Sequence, residues 1–476
     1  MKYVKRNYKK DSLILTGALC LMLAGCGIGS TSDFANDLPE DIPPAQVSEG
    51  AFSSDASQRS EGSLPSGNTS DGSSQADSAS DNGSPAGSIS ADASQSPADS
   101  EIISGEADAK PEPTPQPTPE ITLLMVGDIL LHTPVAESGL QENGSYDFTA
   151  VFAHTKDDIL EADLALVNQE VILGGTELGI SGYPAFNAPY ELGDALVDSG
   201  FDVVLHATNH ALDKGGKGII NCLNFWENSY PQIAVLGIHD SAEGQNEIYV
   251  YEQEGIRIAI LNYTYGTNGI PLPQGMDYAV DQLLDLDRIA EDLKRAEEMA
   301  DFTVVCPHWG TEYRLTQDTN QELLAQFFWE NGADLVLGTH PHVIEPVAWV
   351  AADGIQTCDL EEQDGFLKGT DIRDGMLVYY SLGNFVNWTS GTGEGVANRM
   401  TGGMAKVTLE LDEDGNVTIK EYGVEPVICH VEEGRNGVTV YPISDYTEQL
   451  AEKNAIRLQD GNFSLEYCHS LLEKVW

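Results

Sequence analysis

Residues 201–215, FDVVLHATNHALDKG, run from an apolar, β-branched stretch straight into Asn209, His210 and Asp213. A helical pattern over 190–199 precedes this run, and another near 216–228 leads on to a second apolar run, IAVLGIH (233–239). Short apolar runs alternating with helical patterns mark an α/β domain. In open α/β sheets, ligands bind outside the carboxyl ends of the strands. The polar residues that close this run therefore stand where such a domain does its chemistry.

The arrangement recurs along the chain. ITLLMVGDILLH (121–132) reaches Asp128, and DLALVNQEVIL (163–173) carries Asn168 and Glu170. FTVVCPHWGTEY (302–313) delivers His308, with Glu312 and Tyr313 close behind, and DLVLGTHPH (334–342) ends in His340 and His342. GMLVYYSLGNFV (375–386), read as one further strand, adds Asn384. Residues i and i+2 of an extended chain face the same side, so His340 and His342 are expected to point one way at a strand end. Hairpins are expected at Glu254-Gly255 and Asp414-Gly415. Helices are expected over 284–300, about 320–332 and near the end of the chain. Carboxylate, amide oxygen and imidazole are suitable ligands for Mn, Zn, Fe or Mg. No run ends in a G-x-S-x-G serine elbow, and no glycine-rich phosphate loop stands out.

The beginning of the 476-residue chain is different material. MKYVKRNYKK is basic, LILTGALCLMLAG is apolar but short for a bilayer-spanning helix, and Cys26 follows. Leu23-Ala24-Gly25-Cys26 resembles a bacterial lipobox, which implies cleavage before Cys26 and lipidation of its sulfur. More than one acyl chain there meets the requirement for stable anchoring. Residues 1–25 are thus read as a lipoprotein signal peptide, and 26–118 as a disordered acidic linker rich in Ser, Gly and Pro. Its composition cannot bury enough apolar surface to offset ordering entropy. The expected location is extracytoplasmic, lipid-anchored to the cell membrane. The formal charge of −52 falls mostly after residue 120, which repels polyanions and excludes nucleic acid as a partner. Five cysteines remain beyond Cys26, an odd number without a CxxC spacing, so no disulfide framework is expected.

Six stretches taken in order resemble the CapA family of capsule or poly-γ-glutamate biosynthesis proteins, which is related to calcineurin-like metallophosphoesterases. They are VGDILLH, ADLALVNQE, FNAPYELGDALVDSGFDVVLHATNHALDKG, PHWGTEY, LGTHPHVIEPV and YSLGNFV, spanning about residues 120–390. The resemblance implies a four-layer α/β/β/α sandwich over 119–430, followed by an extension over 431–476. It also implies a site for one or two divalent ions at one edge of the sandwich. Carried over by position, Asp128, Glu170, Asn209, His308, His340 and His342 are metal ligands, and His210 is the catalytic acid or phosphoryl-contacting residue. The parent superfamily's Asp-x-His reads Asp128-Ile129-Leu130 here, and its Gly-Asp reads Asn-Gln-Glu. His132 is a stand-in candidate for the missing imidazole.

Plainer roles compete at several positions. Asp213 fits a brace for the turn after His210, His206 fits packing, and Trp309 and Phe385 fit core walls. Glu312 is open between substrate contact and bracing, Asn384 between ligand support and a turn asparagine. The functional expectation is a metal-dependent hydrolase acting on a phosphoester or on an amide of a capsule or envelope polymer. A non-catalytic component working with polymer synthase or export subunits is the alternative, and a transferase attaching polymer to the wall is a third.

Overall fold

The computed structural model describes residues 118–434 and 436–476. The signal peptide, Cys26 and nearly all of the linker lie outside those residues. Among the described residues, no helix is long and apolar enough to cross a membrane.

Two sheets form the frame. The first contains four parallel strands, β1 (Glu120–Ile129), β2 (Leu164–Asn168), β3 (Val203–Leu205) and β4 (Ala234–Leu236), side by side in that order. The long antiparallel hairpin of β15 (Thr401–Leu411) and β16 (Val417–Val431) extends it on the β1 side. In the second sheet, β6 (Ile256–Thr264), β7 (Phe302–His308), β8 (Leu335–Leu337) and β13 (Met376–Tyr379) are parallel neighbours. Antiparallel β5 (Tyr249–Gln253) and β9 (Val347–Ala351) flank them.

Side-chain alternation along the strands divides the apolar residues into three cores. Ile121, Leu123 and Met125 of β1 point inward to meet Ile258, Val304, Leu335 and Leu377 of the opposite sheet. Leu124 and Val126 point outward to the helices Tyr190–Ser199, Gly215–Ser229 and Leu465–Val475. Beyond the second sheet, Val305 and Val336 meet the helices Leu286–Met299 and Thr319–Glu330. The layering is α/β/β/α, as the motif order implied.

Three details depart from the sequence reading. The run 375–386 is two strands: β13 lies in the second sheet, whereas β14 (Asn384–Val386) pairs in parallel with β1 of the first. The chain crosses between sheets at Gly383 (φ +66°), whose carbonyl oxygen would lie 2.0 Å from any Cβ added to Gly127. This close approach sets Asn384 beside Asp128 in register. Second, the boundary drawn at residue 430 falls inside β16. The segment beyond it supplies β17 (Val438–Pro442) to the first sheet and Cys468, Leu471 and Leu472 to the outer core, because that face of the sheet needs covering. Third, residues 347–369 contain, after β9, the strands β10 (Gly354–Thr357), β11 (Leu360–Gln363) and β12 (Phe366–Gly369), which no clear alternation announced. The five cysteines from Cys222 to Cys468 are all reduced and buried.

Candidate metal centre

The carboxyl ends of the parallel strands from both sheets converge on one edge. Asp128 lies in β1, Glu170 two residues past β2, Asn209 and His210 beyond β3, His308 at the end of β7, and His340 and His342 beyond β8. All seven side chains are buried.

Glu170 is the hub. Its Oε1 is 3.7 Å from His342 Nε2 and 3.8 Å from His308 Nε2, yet neither carboxyl oxygen has a hydrogen-bond partner. His340 Nδ1 is likewise buried and unpartnered. Glu170, His340 and His342 offer ligand atoms that all lie within 4.8 Å of one another. A buried carboxyl without donors is costly unless a cation or proton meets it. Burial first, then Asp128, raises the Glu170 pKa well above the carboxylate range, although His342 opposes the shift. Burial pulls His342 down, but Glu170 and Asp128 outweigh it and hold that imidazole at about 9. His308 and His340 fall well below the usual value, by burial and then by neighbouring imidazoles. Neutral His308 and His340 facing a carboxyl that lacks donors, joined by His342 once a cation displaces its proton, make a donor set suited to a divalent ion.

The surrounding groups orient these ligands. Asp128 Oδ1 accepts from Asn168 Nδ2 at 2.8 Å, and the His340 backbone N–H lies 3.3 Å from both Asp128 oxygens. His342 Nδ1 faces two acceptors, Asn384 Oδ1 at 3.0 Å and Asp128 Oδ2 at 3.2 Å. That nitrogen therefore carries hydrogen and turns Nε2 toward Glu170. His308 Nδ1 meets Thr339 Oγ1 at 3.1 Å, which leaves Nε2 toward Asn209 Oδ1 at 3.1 Å. His210 Nδ1 is 2.7 Å from Asp213 Oδ2, and Asp213 also accepts from the Phe186 backbone N–H at 2.7 Å. Asp213 thus braces the loop and fixes the ring of His210.

Several expectations change in detail. His340 and His342 do not converge through extended backbone: β8 ends at Leu337, and the two residues have φ of 98° and 58°. Two left-handed non-glycine residues around Pro341 bring the rings to 5.7 Å between centroids, a conformation held by the contacts above. His132 stands near the centre, where burial first, then the His342 and His210 imidazoles, lower its pKa to about 3. It occupies the N-cap position of the helix Thr133–Gly139 without a side-chain capping bond, half-buried, with its ring edge-on to Phe186 at 5.2 Å. Asn384 supports His342 and binds its backbone oxygen as well. Glu312 is exposed, outside the triad. His206 accepts from Trp226 Nε1 at 3.2 Å and belongs to the packing. Trp309 and Phe385 are buried walls.

Asn168 stands out in the sequence without a role at the site, and Thr339, Tyr265 and Arg399 are not marked by it at all. Asn168 and Thr339 each sit within two residues of a candidate ligand, a usable signal. Tyr265 packs 4.5 Å from His340 and Arg399 lies 3.6 Å above the Tyr313 ring, placements set only by folding.

Residues 122–389 match the family model described as "Bacterial capsule synthesis protein PGA_cap". The chain is 28% identical over 282 residues to "Capsule biosynthesis protein CapA" of Bacillus anthracis, covering 57% of this chain and 61% of that protein. It is 28% identical over 275 residues to "PGA biosynthesis protein CapA" of Bacillus subtilis (strain 168), covering 56% and 60%. The chain thus spans about 60% of the length of these curated relatives. Among solved structures, a putative 5'-nucleotidase from Staphylococcus aureus in complex with alpha-ketoglutarate aligns at 14% identity and a TM-score of 0.37, over 69% of this chain and 55% of that one.

Proposed function

Because the chain belongs to the bacterial capsule synthesis protein PGA_cap family, we propose that it is a divalent-metal hydrolase acting on a capsule or poly-γ-glutamate polymer, or on its phosphorylated precursor, at the cell envelope. The observation that carries this reading is the Glu170 carboxyl, buried without a donor amid three imidazoles. Glu170, His340, His342 and His308 would hold the ion, with Asn209 and Asp128 beside them. A divalent ion at such a place supplies Lewis-acid polarisation of the bond to be cleaved.

The chain's own residues do the rest. Asp128 and Asn384 hold His342 in orientation through its Nδ1. Asp213 fixes His210 through Nδ1, leaving Nε2 to carry a proton toward a leaving group. The same brace-and-imidazole arrangement serves phosphoester and amide cleavage alike, so the reaction type follows from the substrate. Lipidation at Cys26, an envelope location and contact with polymer synthase or export subunits belong to the same proposal.

The test is metal content of the purified full chain, with turnover of phosphodiester, phosphomonoester and γ-glutamyl substrates. His210→Ala is expected to retain metal and lose turnover, while His340→Ala loses both. A chain that takes up no stoichiometric divalent ion overturns the hydrolase reading. Metal uptake with no turnover anywhere in the panel favours a non-catalytic assembly role.

A further inference from the structure

Arg399 lies outside the stretch 122–389 that the family model matches, yet it stands at the edge of the metal centre. Its guanidinium carbon is 3.6 Å from the centroid of the Tyr313 ring, whose centroid is 6.0 Å from that of His342. Its backbone oxygen accepts from Asn384 Nδ2 at 3.0 Å, and that same Asn384 orients His342. Arginine and candidate ligand are thus fastened through one amide, and the guanidinium rests on the tyrosine.

The guanidinium itself is poorly engaged. Among the described residues no carboxylate lies within salt-bridge distance, Nε is buried without a partner, and Nη1 reaches Thr389 Oγ1 only at 3.5 Å. This occurs in a chain of formal charge −52, where other arginines, such as Arg257 and Arg373, pair with aspartates. A cation left unpaired in so acidic a chain, beside a centre built for chemistry, has spare capacity for an anion. Tyr313 is placed with care: its φ is +65°, and its N–H donates to Pro341 O at 2.7 Å, between the two histidines. Tyr313 is 45% exposed, so a ligand can reach this platform from solvent.

We infer that Arg399, stacked on Tyr313, is a substrate-positioning residue that binds an oxyanion group of the substrate next to the group held at the metal centre. The proposal deepens the hydrolase reading by giving the substrate a second anionic group, but guanidinium recognition of an anion requires no metal. An otherwise acidic surface repels a polyanion, so a single local cation would select the register at which the polymer docks. A carboxylate and a phosphate share this chemistry, and both suit a guanidinium fork.

The test is calorimetric titration of the full chain, metal-loaded and metal-free, with tri-γ-glutamate and separately with inorganic phosphate. In Arg399→Ala, affinity for at least one of the two should fall about ten- to a hundredfold, the range for a charge-assisted pair. Arg399→Lys should fall between. The probe that loses affinity identifies carboxylate or phosphate as the recognised group. Metal stoichiometry should stay at the wild-type level, which separates this role from ligation. Tyr313→Ala, which removes the platform and leaves the arginine, should weaken the same probe and serves if Arg399→Ala fails to fold. Unchanged affinity for both probes in these variants, or no binding of either by wild type, overturns the proposal. A wild-type chain without metal would sink the hydrolase reading, while the metal-free titration would still decide the arginine's role.

Discussion

Glu170 Oε1 lies 3.7 Å from His342 Nε2, and neither oxygen of that buried carboxyl receives a hydrogen bond. The pair is closer than a water-separated contact and longer than a hydrogen bond, the separation expected of two groups that share a cation.

Replacing Glu170 by Gln keeps the side-chain volume and adds a donor beside Asp128. Divalent-ion affinity should drop at least about tenfold, while the melting temperature of the chelator-treated protein stays close to wild type. Adding Mn²⁺ should raise the wild-type melting temperature, by about 4 kcal/mol of stabilisation at a thousandfold excess over Kd. Differential scanning calorimetry with and without chelator checks both. A large loss of metal-free stability in Glu170→Gln would count against a ligand role.

Asn384→Ala removes the acceptor at His342 Nδ1 and leaves the backbone oxygens of His342 and Arg399 without their donor. Loss of such an orienting partner costs about 10- to 100-fold in metal affinity. Competition against a fluorescent chelator measures it, and wild-type affinity in Asn384→Ala would show that Asp128 alone suffices to hold the ring.

Glu345 gives a pH dependence independent of the centre. Burial first, then Asp318, raises its carboxyl to about 8, although Gln321 Nε2 donates to it at 2.6 Å. The folded chain therefore binds more protons than the unfolded chain between pH 4.5 and about 8. Stability from this group is full below the lower value, falls as pH rises through the window, and is level above it. Glu345→Gln should remove a slope on the order of a few kcal/mol across that range. Urea unfolding at pH 5 and pH 8 tests it, and equal slopes for the two proteins would refute it.

Gly127→Ala drives a Cβ to 2.0 Å from Gly383 O and 3.2 Å from Leu382 O, both rigid backbone. The cost should be about 2–4 kcal/mol, through separation of β14 from β1 and of Asn384 from Asp128. Thermal melting reads the stability and metal titration the site. A melting temperature equal to wild type would show that the crossing between sheets is looser than its contacts indicate.

By itself the sequence determined an α/β domain and the strand ends that carry the candidate centre, while its resemblance to the CapA family implied the four layers. Apolar runs of the right length, alternating with helical patterns, leave few ways to bury their faces, and parallel strands present their carboxyl ends together. That pattern marked Asp128, Glu170, Asn209, His210, His308, His340, His342 and Asn384 as ligand-type residues, because polar residues closing apolar runs are a local feature, and the family resemblance implied which six of them ligate metal. Only the tertiary structure decided how those groups meet. His340 and His342 converge through two left-handed residues, whose conformation depends on contacts with Asp128, Tyr313 and Asn384 that are remote in sequence. The run 375–386 divides between two sheets because Gly127 and Gly383 let their backbones touch, a pairing 256 positions apart that no local pattern encodes. Arg399 reaches Tyr313 for the same reason: burial, charge and approach are properties of the packed chain, fixed only when distant segments share one core.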